Sequence, residues 1–197
     1  MLFESPINLN LKDAEVTYYP NFFNINEADN HFKSLLDRIK WKQDNIIVYG
    51  KTYLQPRLTA FYADNTKTYK YSNVTMTPSP FDSDLLKIKN YIETKLKIKF
   101  TSCLANLYRD GKDSNGWHAD NEKELGANPI IASVSFGAER LFHFKHRYDK
   151  ALKKKLNLED GSLLLMKGET QHNWLHQIPK TKKTIGKRIN LTFRIIA

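Results

Sequence analysis

The chain has a single cysteine, Cys103, in 197 residues. One thiol cannot close an intrachain disulfide or build a thiolate zinc site, and a reducing interior suits it. No apolar run approaches the roughly 20 residues of a membrane span; residues 163–166 are among the longest. The first ten residues lack a basic segment followed by an apolar one, so no signal peptide is expected. Internal repeats and low-complexity tracts are missing, which sets aside solenoids and disordered segments. Acid is in short supply: 31 Lys and Arg face 21 Asp and Glu, a net charge of +10. What is left is one basic, soluble, intracellular domain, whose 41% hydrophobic and 12% aromatic content supports a core of its own. A charge of that size favours a polyanion such as nucleic acid as partner.

Periodicity divides the chain in two. Residues 26–41 place Ala28, Phe32, Leu35, Leu36 and Ile39 on one helical stripe, with Asn24 or Asn26 available as cap. Residues 83–97 form a second helix, with Leu85, Leu86, Ile92 and Leu96 inward and Lys87, Lys89, Lys95 and Lys97 outward. Between them, residues 46–53 are β-rich around Gly50, a hairpin signal. Residues 64–80 are polar and Tyr-rich and end in Pro78 and Pro80, which predicts a long loop. From Phe100 onward the texture is strands, at 101–109, 130–136, 140–146, 161–166, 171–178 and 187–196. Basic stretches at 150–155 and 180–187 read as solvated loops. Helices followed by many strands predict an α+β fold, a β-sandwich with helices packed on one sheet.

The segment Arg188-Ile189-Asn190-Leu191-Thr192-Phe193-Arg194 carries the most chemistry. Alternation puts Ile189, Leu191 and Phe193 on a core face and Arg188, Asn190, Thr192 and Arg194 on the other. Two guanidinium groups on an interior strand need anionic partners, and their planar forks suit the two carboxylates of a small dianion. Upstream, His118-Ala119-Asp120 puts an imidazole and a carboxylate on the same side of an extended chain. Alone, such a pair is a weak signal. With one more histidine it would supply the two-histidine, one-carboxylate set of a non-haem iron site. His172 and His176 share a face of the expected 171–178 strand, so periodicity does not choose between them.

These residues resemble the AlkB family of Fe(II)- and 2-oxoglutarate-dependent oxygenases, and most of all the animal AlkB homologues that repair alkylated duplex DNA. The matching blocks are Asn106-Leu107-Tyr108, His118-Ala119-Asp120, 132–138 (Ala-Ser-Val-Ser-Phe-Gly-Ala), Trp174-Leu175-His176 and the arginine strand. With weaker matches from Val48 on, the likeness covers roughly three-quarters of the chain. It implies a jelly-roll (double-stranded β-helix) core at about 100–197, N-terminal helices packed on one sheet, and a nucleotide-recognition hairpin and lid at about 45–80. In the family the distal metal histidine stands three residues before a proline and twelve before the first arginine. His176, ahead of Pro179 and Arg188, fits both spacings. The implied metal ligands are therefore His118, Asp120 and His176. Arg188, Tyr108 and Asn190 would hold the far carboxylate of 2-oxoglutarate. Arg194 and Asn106 would lie near the carboxylate beside the keto group, and Thr192 would complete the co-substrate wall. The implied reaction is oxidative demethylation of 1-methyladenine and 3-methylcytosine in DNA, releasing formaldehyde, succinate and CO2. RNA, single strands or a protein are the alternative substrates.

The resemblance extends to the substrate side. A methyl on the Watson–Crick edge is reached only in a flipped or unpaired base. Val48, Tyr49 and Gly50 match the hairpin finger that duplex-acting members insert into the stack, with Tyr49 as wedge. Arg57 follows at the family spacing, and Tyr69 and Tyr71 match the lid aromatics that pack on the flipped base. Glu122 matches an acidic residue near the base edge. Tyr71 stands where the family usually has Phe, and Asn121 where close members often have Asp, which bears on base discrimination and not on catalysis. Lys182, Lys183 and Lys153 to Lys155 would serve the phosphate backbone. A monomer is expected, cytoplasmic in a prokaryote or nuclear in a eukaryote, with no membrane partner.

Overall fold

Asn24 starts the first helix with a reciprocal cap. Its Oδ1 accepts the Glu27 N–H at 3.0 Å while Glu27 Oε2 accepts the Asn24 N–H at 3.0 Å. This helix, α1 (Ile25–Arg38), stops short of residue 41 because Ile39 turns extended and Lys42 bridges to Thr59 instead. Asp82 caps the second, α2 (Ser83–Leu96), accepting from Asp84 N at 3.0 Å and Leu85 N at 2.8 Å. The computed structural model describes residues 5–48, 50–66, 69–71 and 74–196.

Strands make up most of the rest. Ahead of α2 lie β1 (Ile7–Asn8), β2 (Glu15–Tyr19), β3 (Asn45–Val48), β4 (Lys51–Leu54), β5 (Leu58–Ala63), β6 (Tyr69–Tyr71) and β7 (Val74–Met76). After it come β8 (Ser102–Tyr108), β9 (Asn115–His118), β10 (Ile131–Gly137), β11 (Arg140–His146), β12 (Lys153–Leu158), β13 (Leu163–Lys167), β14 (Trp174–Ile178) and β15 (Arg188–Arg194), with a helical turn, α3 (Thr170–Asn173), before β14. One antiparallel sheet has the order β1-β2-β13-β10-β15-β8-β5 and faces a second, β12-β11-β14-β9. The hairpins β3–β4 and β6–β7 stand apart from both. This is the jelly roll with helices on one sheet.

Alternation along β15 sorts two apolar layers. Ile189, Leu191 and Phe193 join Leu35, Leu85, Ile88 and Ile92 between the large sheet and the helices. Phe142, Phe144, Trp174 and Ile178 of the small sheet pack with Leu104, Leu164 and Met166 between the two sheets. Each fully buried apolar side chain contributes about 1.5–3 kcal/mol. The polar face of β15 opens into the second layer, and there the candidate site lies.

Several elements differ from the sequence expectation. Residues 150–155 are not wholly loop: Lys153, Lys154 and Lys155 begin β12, an edge strand paired with β11. The 64–80 loop contains the β6–β7 hairpin. The strand expected from 171 begins at 174, because Thr170 donates its hydroxyl to Lys167 O at 2.6 Å and closes α3. That turn takes His172 off the face it was to share with His176. Tyr49, and the side chains of Val48, Tyr69 and Tyr71, lie outside the described residues. Among the described residues no helix is long and apolar enough to cross a membrane.

Candidate metal centre and dianion pocket

The β9–β14 pairing sets His118 directly opposite His176. Their ring centroids are 4.3 Å apart at an interplanar angle of 67°. Asp120, two residues on, completes a group whose ligand atoms all lie within 4.8 Å of one another. Phe142 stacks on His176 at 5.2 Å and 22°, fixing that imidazole from behind.

Each side chain stands in the protonation state a metal ligand needs. His118 Nδ1 is 2.7 Å from Gly116 O. A carbonyl only accepts, so Nδ1 carries the proton and Nε2 keeps its lone pair, 3.1 Å from Asn115 Nδ2. Burial lowers the His118 pKa against the opposing pull of Asp120. Burial, then the neighbouring His118, pushes His176 down to about 3. For Asp120 burial acts upward, but Arg194, with His176 and His118, outweighs it and holds the carboxyl below the usual carboxylate range. Arg194 Nη2 donates to Asp120 Oδ1 at 2.8 Å, and the Asp120 N–H is taken up by Gln171 Oε1 at 3.0 Å. His176 Nδ1 is buried with no hydrogen-bond partner among the described residues. Two neutral imidazoles, an ionised carboxylate and an orphaned nitrogen fit a divalent cation.

Deeper between the sheets, Arg188 is 1% exposed. Its Nη2 donates to Ser135 Oγ at 2.9 Å, while Nε and Nη1 are buried with no hydrogen-bond partner among the described residues. Its guanidinium lies 5.2 Å from the centre of the Tyr108 ring, and that of Arg140 lies 5.5 Å from the same ring. Arg140 is satisfied by the carbonyls of Asp110, Asp113 and Pro179, at 3.2, 2.9 and 2.7 Å. Burial lowers the Arg188 pKa to about 10, so it stays cationic at neutral pH. A buried cation with two unused donors, and no ion pair to it among the described residues, fits the carboxylate of a small anion.

The structure brings together His118, Asp120, His176, Arg188, Arg194, Asn106, Tyr108, Asn190 and Thr192 around one cavity. Asn190 and Thr192 are turned partly on their neighbours: Asn190 Nδ2 donates to Ser133 Oγ at 2.8 Å, and Thr192 Oγ1 donates to Asn190 Oδ1 at 3.1 Å. Glu122 sits half-buried at the start of a 3-10 turn, Lys123–Leu125. Gly50 takes the hairpin turn at φ +75 with open space around it. Arg57, which the resemblance gives to the nucleic-acid side, is buried and donates Nε to Asn106 Oδ1 at 2.8 Å. His172 is exposed and binds Ala127 O and Asn128 Oδ1, away from the triad. Sequence reasoning missed Ser135, Arg140 and Gln171, which act across sheets and carry no local signal.

A model of the 2OG-Fe(II) oxygenase superfamily matches residues 15–194. The alpha-ketoglutarate-dependent dioxygenase alkB homolog 3 of Bos taurus is 43% identical over 93% of this chain and 66% of its own length. The DNA oxidative demethylase ALKBH2 of Mus musculus is 36% identical over 90% of this chain and 79% of its own. This chain thus spans just under two thirds of the first of these relatives. The solved structure of OsALKBH1, 17% identical, shares the fold with a TM-score of 0.67 over 97% of this chain and all of that one. A pocket of two neutral histidines, an ionised aspartate and a starved buried arginine, on a jelly roll with these relatives, places the chain in the 2OG-Fe(II) oxygenase superfamily, on its AlkB branch.

Proposed function

We propose that this chain is an Fe(II)- and 2-oxoglutarate-dependent oxidative demethylase of N-alkylated bases in DNA, 1-methyladenine and 3-methylcytosine foremost. The observation that carries the reading is the juxtaposition of the compact triad with Arg188, whose Nε and Nη1 are buried with no hydrogen-bond partner among the described residues. The DNA assignment is supported by the name of the mouse relative, a DNA oxidative demethylase, and by the net charge of +10.

In this reading His118, Asp120 and His176 hold the iron, and Arg188 with Tyr108 binds the far carboxylate of 2-oxoglutarate, Asn190 and Thr192 lining that end. Bound iron and 2-oxoglutarate together supply O2-dependent oxidation of an N-methyl group, with succinate, CO2 and formaldehyde as products. Arg194 keeps Asp120 ionised and, with Asn106, faces the carboxylate beside the keto group. The proton stays on His118 Nδ1, donated to Gly116 O, which leaves the other nitrogen for the metal. Leu104, Phe142, Met166 and Ile178 line the pocket and give it an apolar wall. The whole chain acts as one unit, a monomer, with the 45–80 region reaching the base: Val48, Tyr49 and Gly50 as finger, Tyr69 and Tyr71 as lid, Glu122 near the base edge. Lys153 to Lys155, with Lys182 and Lys183, serve the phosphates. An intracellular location, where DNA and 2-oxoglutarate meet, belongs to this reading.

The deciding assay is formaldehyde release with Fe(II), 2-oxoglutarate and ascorbate on matched single- and double-stranded DNA and RNA oligonucleotides bearing one methylated base. Release on DNA that needs 2-oxoglutarate is expected, and Asp120→Asn should abolish it while oligonucleotide retention persists. Faster turnover on RNA would move the substrate assignment, and turnover surviving in Asp120→Asn would overturn the ligand set.

A further inference from the structure

Arg57 belongs to Gln55-Pro56-Arg57, the link from the β3–β4 hairpin to β5. Its residue is 3% exposed, and it does not line the cavity that Asn106, Asp120 and Arg188 share. Asn106 stands between. Arg57 Nε donates to Asn106 Oδ1 at 2.8 Å, and Nη1 donates to Ser114 O at 3.3 Å. Ser114 N in turn donates to Pro56 O at 2.8 Å, so this segment is fastened twice to the loop that leads into β9.

A primary amide has two unlike edges of nearly equal size, and only its partners decide which way it faces. A cationic N–H on Oδ1 decides it for Asn106: the oxygen points back to Arg57 and the NH2 edge points into the pocket. There, among the described residues, Nδ2 reaches only Leu104 O and Asn190 Oδ1, both at 3.4 Å, the outer reach of a hydrogen bond. It remains a donor for something better. The flipped amide would set its NH2 group against a guanidinium and its oxygen against an arriving carboxylate, and both contacts repel. The charge behind the amide also polarises it, which strengthens the N–H that faces the anion.

We propose that Arg57 is a positioning residue of the 2-oxoglutarate site, which fixes the Asn106 amide with its NH2 edge toward the co-substrate and does not itself touch nucleic acid. The inference rests on the reading of the pocket given above. It is tested by two variants of matched length. Arg57→Gln sets an amide nitrogen where Nε stands, whereas Arg57→Met fills the space with no donor. The measurement is calorimetric titration of 2-oxoglutarate into Mn(II)-loaded protein, without nucleic acid or O2, beside retention of a 1-methyladenine oligonucleotide. Arg57→Met should weaken 2-oxoglutarate binding roughly 10-fold, the size of one hydrogen bond to a charged group. Arg57→Gln should stay within about threefold of wild type, since a neutral donor keeps most of such a bond. Oligonucleotide retention should be the same in all three. Adding Asn106→Ala to Arg57→Met should cost less than Asn106→Ala costs alone, because the two act as one unit.

Unchanged 2-oxoglutarate affinity with lost oligonucleotide retention would make Arg57 a nucleic-acid contact and overturn the proposal. Equal weakening in both variants would overturn the amide-setting role. If Arg57→Met does not fold, Arg57→Lys, which moves the charge off Asn106, takes its place with the same expectation. Wild-type protein that binds no 2-oxoglutarate would sink the pocket reading and this inference together; binding that no variant alters sinks the inference alone.

Discussion

Arg188 is held for its ligand at the expense of the fold. A buried guanidinium with two unused donors destabilises the free protein, and apolar replacements of such groups are often neutral or stabilising. Arg188→Met should therefore leave the melting temperature of the ligand-free protein unchanged or higher while weakening 2-oxoglutarate binding roughly 100-fold. Melting curves with and without 2-oxoglutarate read both effects, and a lower melting temperature without ligand would contradict this account. Much of the site is legible in the sequence at this scale because β15 and the His-x-Asp segment are extended, so spacing alone sets which side chains share a face. The bond from Arg57 to Asn106 is not legible for the opposite reason: its direction depends on Asn106 and Ser114, 49 and 57 residues away. Gln171 was invisible, since its bond to the Asp120 N–H spans 51 residues.

At the scale of elements, the loop from β8 to β9 delivers His118, and one ion pair shapes it. Asp113 accepts Arg109 N, Nε and Nη2 at 2.9, 2.8 and 2.9 Å. Burial acts to raise the Asp113 pKa, but the Arg109 bonds and charge, with Arg140, prevail and hold it below the usual carboxylate value. A carboxylate depressed on folding stabilises above its unfolded pKa, and that contribution fades as pH falls through the folded one. Asp113→Asn should cost about 1–3 kcal/mol at pH 7. The gap from wild type should shrink below about pH 4, which urea midpoints at several pH values would record. Which elements were legible follows from their surroundings. Both helices carry apolar stripes and caps, so they were found to within a few residues. β5, Leu58–Ala63, is covered on both faces and shows no alternation to find. β12 opens with three lysines because it is an edge strand, where charge discourages further pairing, and composition alone reads that as loop.

For the whole molecule, ligand and fold are linked. In metal-loaded protein, 2-oxoglutarate at about 100 times its dissociation constant would stabilise the native state by about 2.7 kcal/mol. In a chain of 197 residues that should raise the melting temperature by about 5–10 °C. A chelator should reverse it, and a shift that persists in Asp120→Asn would place the ligands elsewhere. The +10 charge gives a second observable. Replacing Lys153 and Lys155 by Glu should weaken oligonucleotide binding and lower its log–log salt slope by about 0.9 for each phosphate contact removed. An unchanged slope would return those lysines to the solvent. Finally, β15 follows every other described strand yet lies between β10 and β8, in the interior of the large sheet. A nascent chain leaves the ribosome N-terminus first, so β8 and β10 are made while the strand that separates them is still missing. Their facing edges stay open until it arrives, which is the stage at which aggregation threatens and chaperones act. Both arginines of the pocket travel on that strand, so a chain that has not yet gained β15 carries no complete candidate pocket: closure of the large sheet and assembly of that pocket are one event in the making of the chain.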